Sequence, residues 1–337
     1  MSESLAVSGA VKALVAGLDM SVAMSGMETT GEGRTGSIEN AILIAGPTAS
    51  GKSRLALELA QKTKGVIVNT DSMQVYDVLN ALTARPSASD LGRAPHLLYG
   101  HVDPAVAYST GAWLRDVQRL AQKGAFANRR PIFVGGTGLY FRALVNGLSR
   151  MPDIPPDIRD RWRYRLNEEG APRLHRTLMQ VDPAVAMRLQ AGDGQRIVRA
   201  LEVLEASGRS ILEWQAATSI PMIDARSATL KIVDIDRQIL SQRIGERLRT
   251  MIASGALDEV RALHRRRLDP ALPAMRAIGV SDLVSVIEGA LPLEQALERI
   301  AALTRQYAKR QATWFRHQLG PEWQRIPADS LQSADLI

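Results

Sequence analysis

Gly46-Pro47-Thr48-Ala49-Ser50-Gly51-Lys52-Ser53 fits the pattern G-x-x-x-x-G-K-[ST], in which a loop turns main-chain N–H groups toward a phosphate. Lys52 would add a point charge, and Ser53 has the hydroxyl that ligates Mg²⁺ in such loops. The flanks make the pattern specific. The apolar run Ile42-Leu43-Ile44-Ala45 precedes it and a helical pattern follows. A helix beginning near Lys52 would aim its positive end at the same point. The loop itself does not say which phosphate compound it holds.

Asp71 follows a second apolar run, Gly65-Val66-Ile67-Val68-Asn69. Three readings stand side by side for it: a helix cap, the Mg²⁺-binding aspartate of an NTPase, or a general base if a nucleophile arrives beside the phosphates. Thr48 is either a small filler or a hydroxyl donor to a phosphate or leaving-group oxygen. Cations cluster in three places. Arg159, Arg161, Arg163 and Arg165 accompany Trp162 and Tyr164. Gln195-Arg196-Ile197-Val198-Arg199 places Gln195, Arg196 and Arg199 along one side of a helical turn. From Arg305 to Arg316, cations interleave with Tyr307, Trp314 and Phe315. Cations hold phosphates, while aromatics and arginines stack on exposed bases, so three clusters in one basic chain point to RNA.

The elements that must position these residues follow from periodicity and turn chemistry. A strand over 41–45, a helix over 52–62 and a strand over 65–69 make a βαβ unit, so the sheet is parallel and its ligands sit at the carboxyl ends of the strands. Residues 84–95 read as irregular, 96–102 as a strand, and Ser109 or Thr110 caps a helix running to Lys123. The strand Pro131-Ile132-Phe133-Val134 runs into Gly135-Gly136-Thr137-Gly138, a second loop at the ligand edge, and then a helix over 139–145. A proline-rich boundary, Met151 to Pro156, opens a basic helical insertion. A strand from Thr229 or Leu230 to Ile235 returns the chain to the sheet. Helices over 237–254, 257–267, 275–288 and 293–318 follow. The expected organisation is a disordered extension over 1–37, the first part of an α/β phosphate-binding core over 38–150, a helical insertion over 151–217, and a return to the core with C-terminal helices over 218–337.

Composition narrows the function. The chain of 337 residues is 45% hydrophobic, enough to bury a substantial core, and carries a net charge of +7 with a pI near 9.9, which suits a polyanionic partner. It has no cysteine, which excludes disulfides, cysteine-held zinc and thiol catalysis and fits a reducing, cytoplasmic compartment. No apolar run approaches the ~20 residues of a membrane helix, so no membrane partner is expected.

These residues resemble the bacterial tRNA dimethylallyltransferases, also called tRNA isopentenyltransferases. The resemblance is carried by motifs in order: Gly46 to Ser53, Asn69-Thr70-Asp71-Ser72-Met73-Gln74-Val75-Tyr76, Ala94 to Leu98, Val134 to Tyr140, Asp193 to Glu202, and Lys309-Arg310-Gln311-Ala312-Thr313-Trp314-Phe315-Arg316. It implies a P-loop NTPase-like parallel sheet with a helical insertion. It also implies transfer of a dimethylallyl group from dimethylallyl diphosphate to N6 of the adenosine 3′-adjacent to the anticodon (tRNA position 37), in tRNAs reading codons that begin with U. The loop from Gly46 to Ser53 would then bind a prenyl diphosphate with Mg²⁺ on Ser53, Thr48 would bond the leaving oxygen, and Asp71 would take the amine proton. Arg243 and Arg247 resemble the basic pair that reaches the diphosphate. Asp71, Ser72, Met73, Gln74, Thr137, Gln195 to Arg199, Lys309, Arg310, Gln311, Trp314 and Arg316 would hold the tRNA anticodon stem-loop. The protein is expected to act as a monomer.

Two places depart from the family's pattern. Leu82 stands where a glycine is usual, and Val280-Ser281 where a tyrosine and a cation are usual. Two other activities share parts of these features: a P-loop kinase for a nucleotide or other small molecule, and a prenyltransferase for free adenine nucleotides. The wide basic surface distinguishes the tRNA reading from both. A non-catalytic RNA-binding protein would leave the loop and Asp71 without a role.

Overall fold

The computed structural model describes residues 37–217 and 220–329. The extension expected over 1–37 lies outside them except for Ser37. The core is a six-stranded, wholly parallel sheet: β1 Ile42–Ala45, β2 Val66–Asn69, β3 His96–Leu97, β4 Pro131–Gly135, β5 Thr229–Asp234 and β6 Gln324–Pro327. Their spatial order is β3-β2-β4-β1-β5-β6. The central strands β1, β2 and β4 are buried along their whole length, because helices cover both faces. Val68, Phe133, Trp113 and Phe141 fill one face, and Ile44, Leu55, Leu59 and Val134 the other.

Parallel pairing places the ends of β1, β2 and β4 at one edge. Because β4 lies between β1 and β2, the loops after those two strands are two strand spacings apart, about 10 Å. The glycines at the end of β4 and just after it let this space be filled by other groups. A Cβ on Gly135 would stand 2.3 Å from the Thr70 carbonyl carbon.

Helix α1, Lys52–Thr63, follows β1, and Gly51 caps it at φ +94°. Helix α2, Ala88–Arg93, is held by a capping box between Ser87 and Asp90 and interrupts the stretch expected to be irregular. Strand β3 is shorter than the expected 96–102, because Leu98 turns to φ +62°; Val102 forms only an isolated bridge to Tyr76. Helix α3, Thr110–Gln122, begins at Ser109, whose hydroxyl accepts from the Ala112 N–H. Helix α4, Gly138–Asn146, follows β4.

The insertion consists of α5 Pro156–Glu169, α6 Ala171–Val181, α7 Pro183–Ala186, α8 Gly194–Ser207 and α9 Ile211–Ala216. It buries an apolar cluster of its own around Trp162, Leu174, Leu178, Ile197 and Leu201. After β5 come α10 Arg237–Ala253, α11 Ala256–Arg265, a 3₁₀ turn Pro273–Arg276, α12 Val280–Ile287 and α13 Leu293–Gln318. The single helix expected over 275–288 is broken at Gly279, whose φ of +96° no helix accepts. Leu79, Leu82, Ile244, Val260, Leu283 and Ile300 tie these helices to the loop after β2. The edge strand β6 was not expected from the sequence. No helix among the described residues is long and apolar enough to cross a membrane.

Candidate active site

The loop after β1 has the geometry of an anion nest. Ala49 at φ +62° and Gly51 at φ +94° take the left-handed conformation found in such nests, and the Ser50 N–H between them donates to the Pro47 carbonyl at 3.2 Å. The first N–H groups of α1 have no intrahelical acceptor. Lys52 is buried, and its Nζ donates to the Pro47 carbonyl at 3.1 Å, lying across the loop. Burial pulls the Lys52 ammonium down to about 8, opposed by Asp71 and reinforced by Arg247. Helix α10 closes the loop from outside. Arg243 donates to the Ser50 carbonyl at 3.3 Å, and Arg247, one turn on, donates to the Thr83 carbonyl at 3.2 Å. Burial lowers the Arg247 pKa, and Asp71 partly offsets that. The loop, Lys52 and the α10 pair thus concentrate positive charge in one concavity, which an anion of two phosphates would neutralise.

Asp71 is fixed at its main chain and at one carboxylate oxygen. The Asn69 side chain spans the turn, accepting from the Asp71 N–H at 2.8 Å and donating to the Asp71 and Leu98 carbonyls at 3.0 and 2.9 Å. Oδ1 accepts from the Met73 N–H at 2.9 Å and the Gln74 N–H at 3.4 Å. No helix starts here, so Asp71 closes a turn through Oδ1 and does not cap a helix. Among the described residues no hydrogen-bond donor reaches Oδ2, which leaves one oxygen for proton transfer. Thr137 Oγ1 accepts from the Ser72 N–H at 3.0 Å, joining the loops after β2 and β4. Asp71 also raises the pKa values of Tyr99, Tyr140 and Tyr307, after burial as the larger cause in each.

Thr48, Asp71, Ser72 and Met73 line a cavity of about 360 Å³ together with Arg247, Tyr307 and Arg310. The rest of its wall is mainly apolar, with Leu82, Ile244, Leu248, Met251, Ile278 and Ile300, and is interrupted by Thr83, Arg276 and Thr304. A second concavity of about 430 Å³ adjoins it through Ala49 and Arg247 and holds Lys52, Ser53, Arg243 and Glu246. The site therefore has a polar, cationic chamber at the loop and a mainly apolar chamber beyond it, with Thr48 and Asp71 in the lining of the second.

Leu82 accounts for one departure. It is buried in the apolar wall, and its Cδ1 would stand 3.3 Å from a Cβ built on Gly279. Its turn is held without a glycine at that position, because Glu259 on α11 accepts from the Ala81 and Leu82 N–H groups at 2.7 and 3.1 Å. Val280 is buried in the cluster beneath α12, so an apolar side chain suits its place. Ser281 is exposed.

The proposed RNA-facing residues divide. Gln195, Arg196, Lys309, Arg310 and Arg316 are exposed, and Arg199 is half-buried beside Glu202. Ile197 and Val198 are buried in the insertion's cluster, so their side chains pack inward. Gln311 is also buried, at 5% exposure, and Trp314 packs over Gly138, where a Cβ would stand 2.1 Å from its ring. Gln74 donates its amide to the Thr83 and Ala84 carbonyls at 2.9 and 3.0 Å and holds the neighbouring turn. Sequence reasoning passed over Tyr307 as a site residue, although its aromatic-cation setting was visible. It gave no signal for the apolar wall, whose residues come from four separate segments.

The chain matches the family model described as IPP transferase over residues 74–318 and the one described as isopentenyl transferase over residues 39–98. It is 61% identical over 312 residues to the tRNA dimethylallyltransferase of Mesorhizobium japonicum, covering 92% of this chain and 97% of the relative. It is 55% identical to the tRNA dimethylallyltransferase of Chelativorans sp., covering 86% of this chain and 99% of that one. Its fold is similar to that of a eukaryotic dimethylallyltransferase acting on tRNA, with a TM-score of 0.74 and 26% identity over 88% of this chain and 77% of the other. The tRNA isopentenylpyrophosphate transferase of Bacillus halodurans aligns with a TM-score of 0.61 and 28% identity over 86% of this chain and 90% of that one.

Proposed function

The chain belongs to the IPP transferase family of tRNA dimethylallyltransferases, and from that premise we propose how its own residues carry out the transfer. The protein is a prenyl transferase that modifies tRNA. The reaction moves a dimethylallyl group to N6 of the adenosine 3′-adjacent to the anticodon. The donor we assign is dimethylallyl diphosphate, and the place of action the cytoplasm, where tRNA is found. One observation carries the donor assignment: a mainly apolar chamber adjoins the phosphate loop, with Thr48 and Asp71 in its lining. A five-carbon chain suits that wall, and a phosphoryl-transfer reaction would give it no role.

The diphosphate is held by the loop's N–H groups, Lys52, Arg243 and Arg247. These cations and dipoles absorb the charge that develops as the carbon–oxygen bond breaks. Thr48 donates its hydroxyl to the departing oxygen. The exocyclic amine of adenine attacks the allylic carbon, and Asp71 Oδ2 takes the proton released from nitrogen. The adenine must leave its stack to enter the chamber. Exposed Lys309, Arg310, Arg316, Gln195 and Arg196 supply phosphate contacts for the anticodon stem-loop. The residues present fit a magnesium ion. Ser53 and Glu246 line the chamber that receives the phosphates, and among the described residues no cluster of three or more His, Cys, Asp or Glu forms a closed cage. Mg²⁺ takes this kind of site, with substrate oxygens and water completing the shell. When bound it would neutralise charge on the diphosphate.

The test mixes the protein with labelled dimethylallyl diphosphate, Mg²⁺ and either unmodified tRNA or AMP, with ATP hydrolysis followed in parallel. Label is expected in tRNA. ATP turnover without prenyl transfer, or label in AMP alone, would contradict the assignment. Replacing Thr48 by alanine is expected to lower the single-turnover rate by about 10²-fold, the usual cost of one donor to a developing oxyanion, with tRNA affinity unchanged. A rate equal to that of the unaltered protein would make Thr48 a filler.

A further inference from the structure

The cation-rich end of α13 reads from the sequence as an RNA contact, yet one of its residues turns inward. Gln311 is 5% exposed and lies between the two glycine loops. Its Oε1 accepts from the Thr48 main-chain N–H at 3.0 Å, and its Nε2 donates to the Gly136 carbonyl at 2.9 Å. Only this amide orientation serves both partners, since one is a donor and the other an acceptor. The Tyr307 hydroxyl, which lines the reaction chamber, lies against the same amide. A Cβ on Gly136 would stand 2.1 Å from Gln311 Nε2 and 3.6 Å from the Gly46 carbonyl oxygen, so a glycine there admits the strut.

We propose that Gln311 is a positioning residue: it fixes Thr48, through its main chain, at the leaving-group oxygen and does not read RNA. This rests on the assignment of Thr48 made above. The main-chain N–H of Thr48 would otherwise be free to turn with the loop. Its hydroxyl has no hydrogen-bond partner among the described residues, so the main chain and the restricted χ1 of a β-branched side chain set where that hydroxyl points. The strut also fixes α13 to the donor loop, so the helix that presents Lys309 and Arg310 outward carries the loop's geometry on its inner face.

Two variants test this from opposite sides. Gln311→Met keeps the side chain's bulk and removes both hydrogen bonds. Gly136→Ala leaves Gln311 in the chain but pushes its amide away, and Gly136 does not have the positive φ that would make alanine strained. Four quantities are measured: the single-turnover transfer rate at saturating substrates, the affinity for inorganic diphosphate, the affinity for tRNA, and the effect of Gln311→Met in a Thr48→Ala background. Each single variant is expected to lower the rate roughly 10- to 30-fold, to weaken diphosphate binding, and to leave tRNA affinity unchanged. In the Thr48→Ala background Gln311→Met should cost less than about threefold, because residues acting through one group are not additive. Full additivity would overturn the proposal. So would a loss confined to tRNA affinity, which would make Gln311 an RNA contact, or unchanged diphosphate affinity and rate in both variants. Absence of prenyl transfer by the unaltered protein would refute the assigned reaction instead, and diphosphate affinity in the two variants would still decide whether the strut holds the loop.

Discussion

Replacing Asp71 by alanine is expected to lower the transfer rate by about 10²- to 10⁴-fold, the range that a positioned base contributes, while tRNA still binds. The reason lies in the two oxygens. Oδ1 is committed to the Met73 and Gln74 N–H groups, Oδ2 accepts from no donor among the described residues, and the residue lines the chamber. An asparagine at this position could keep the Oδ1 contacts but could not accept the amine proton. Asp71→Asn should therefore be as slow as Asp71→Ala but closer to the unaltered protein in thermal stability. Single-turnover rates, tRNA affinity and melting curves on both variants check this. Normal turnover in Asp71→Asn would remove the carboxylate from proton transfer and leave it only as the acceptor that closes the turn.

Lys52→Met is expected to have the next largest effect, a loss of about 10²- to 10³-fold in rate with a marked loss of diphosphate affinity. The buried ammonium lies across the nest and is the cation placed deepest in the loop. Its pKa gives the sign of a pH effect. Burial lowers it to about 8, so the free protein holds a charged Lys52 below that pH and loses it above. Measured relative to the methionine variant, which carries the diphosphate's own titration, affinity for inorganic diphosphate should fall above about 8, approaching tenfold per unit. The same shift has a stability consequence of opposite direction. A lysine whose folded pKa lies below its unfolded value costs stability while it is protonated, and the cost is relieved as pH rises from about 8 toward the ordinary value of 10.5. Lys52→Met should accordingly be at least as stable as the unaltered protein at neutral pH. A ratio of the two proteins' diphosphate affinities independent of pH would contradict this account of Lys52.

What could be read from the sequence was whatever chemistry is written in contiguous residues at strand ends. The loop from Gly46 to Ser53 and the turn at Asp71 follow their strands directly, so motif and βαβ spacing together place them at one edge. The apolar wall could not be read this way. Leu82, Ile244, Ile278 and Ile300 look like ordinary core positions, and only the packing of α10 and α13 against the turn after Asp71 turns them toward a cavity. The inward turn of Gln311 is hidden for a related reason. Its neighbours Lys309 and Arg310 are exposed, and sequence shows the company a residue keeps but not which way a helix face is rotated. Ile197 and Val198 are the same case within Gln195 to Arg199.

The fold shows a similar division. The buried strands β1, β2 and β4 are uniform apolar runs and were found. Strand β6, Gln324–Pro327, lies at the sheet's edge, is mostly exposed and ends in proline, so it carries none of that signal. Helix α2 had a signal that was passed over: Ser87 and Asp90 stand at capping-box spacing. The break at Gly279 needed knowledge of a left-handed φ, which a glycine permits but does not announce.

The central claim is that the phosphate loop holds a leaving group, so the bond that breaks is between carbon and oxygen. Dimethylallyl diphosphate labelled with ¹⁸O at the oxygen joining carbon to phosphorus distinguishes this from phosphoryl chemistry in one reaction with unmodified tRNA. The account predicts that the label leaves in diphosphate while the prenyl carbon becomes bonded to nitrogen in tRNA. Label recovered in dimethylallyl alcohol, with phosphorus transferred to an acceptor, would contradict it.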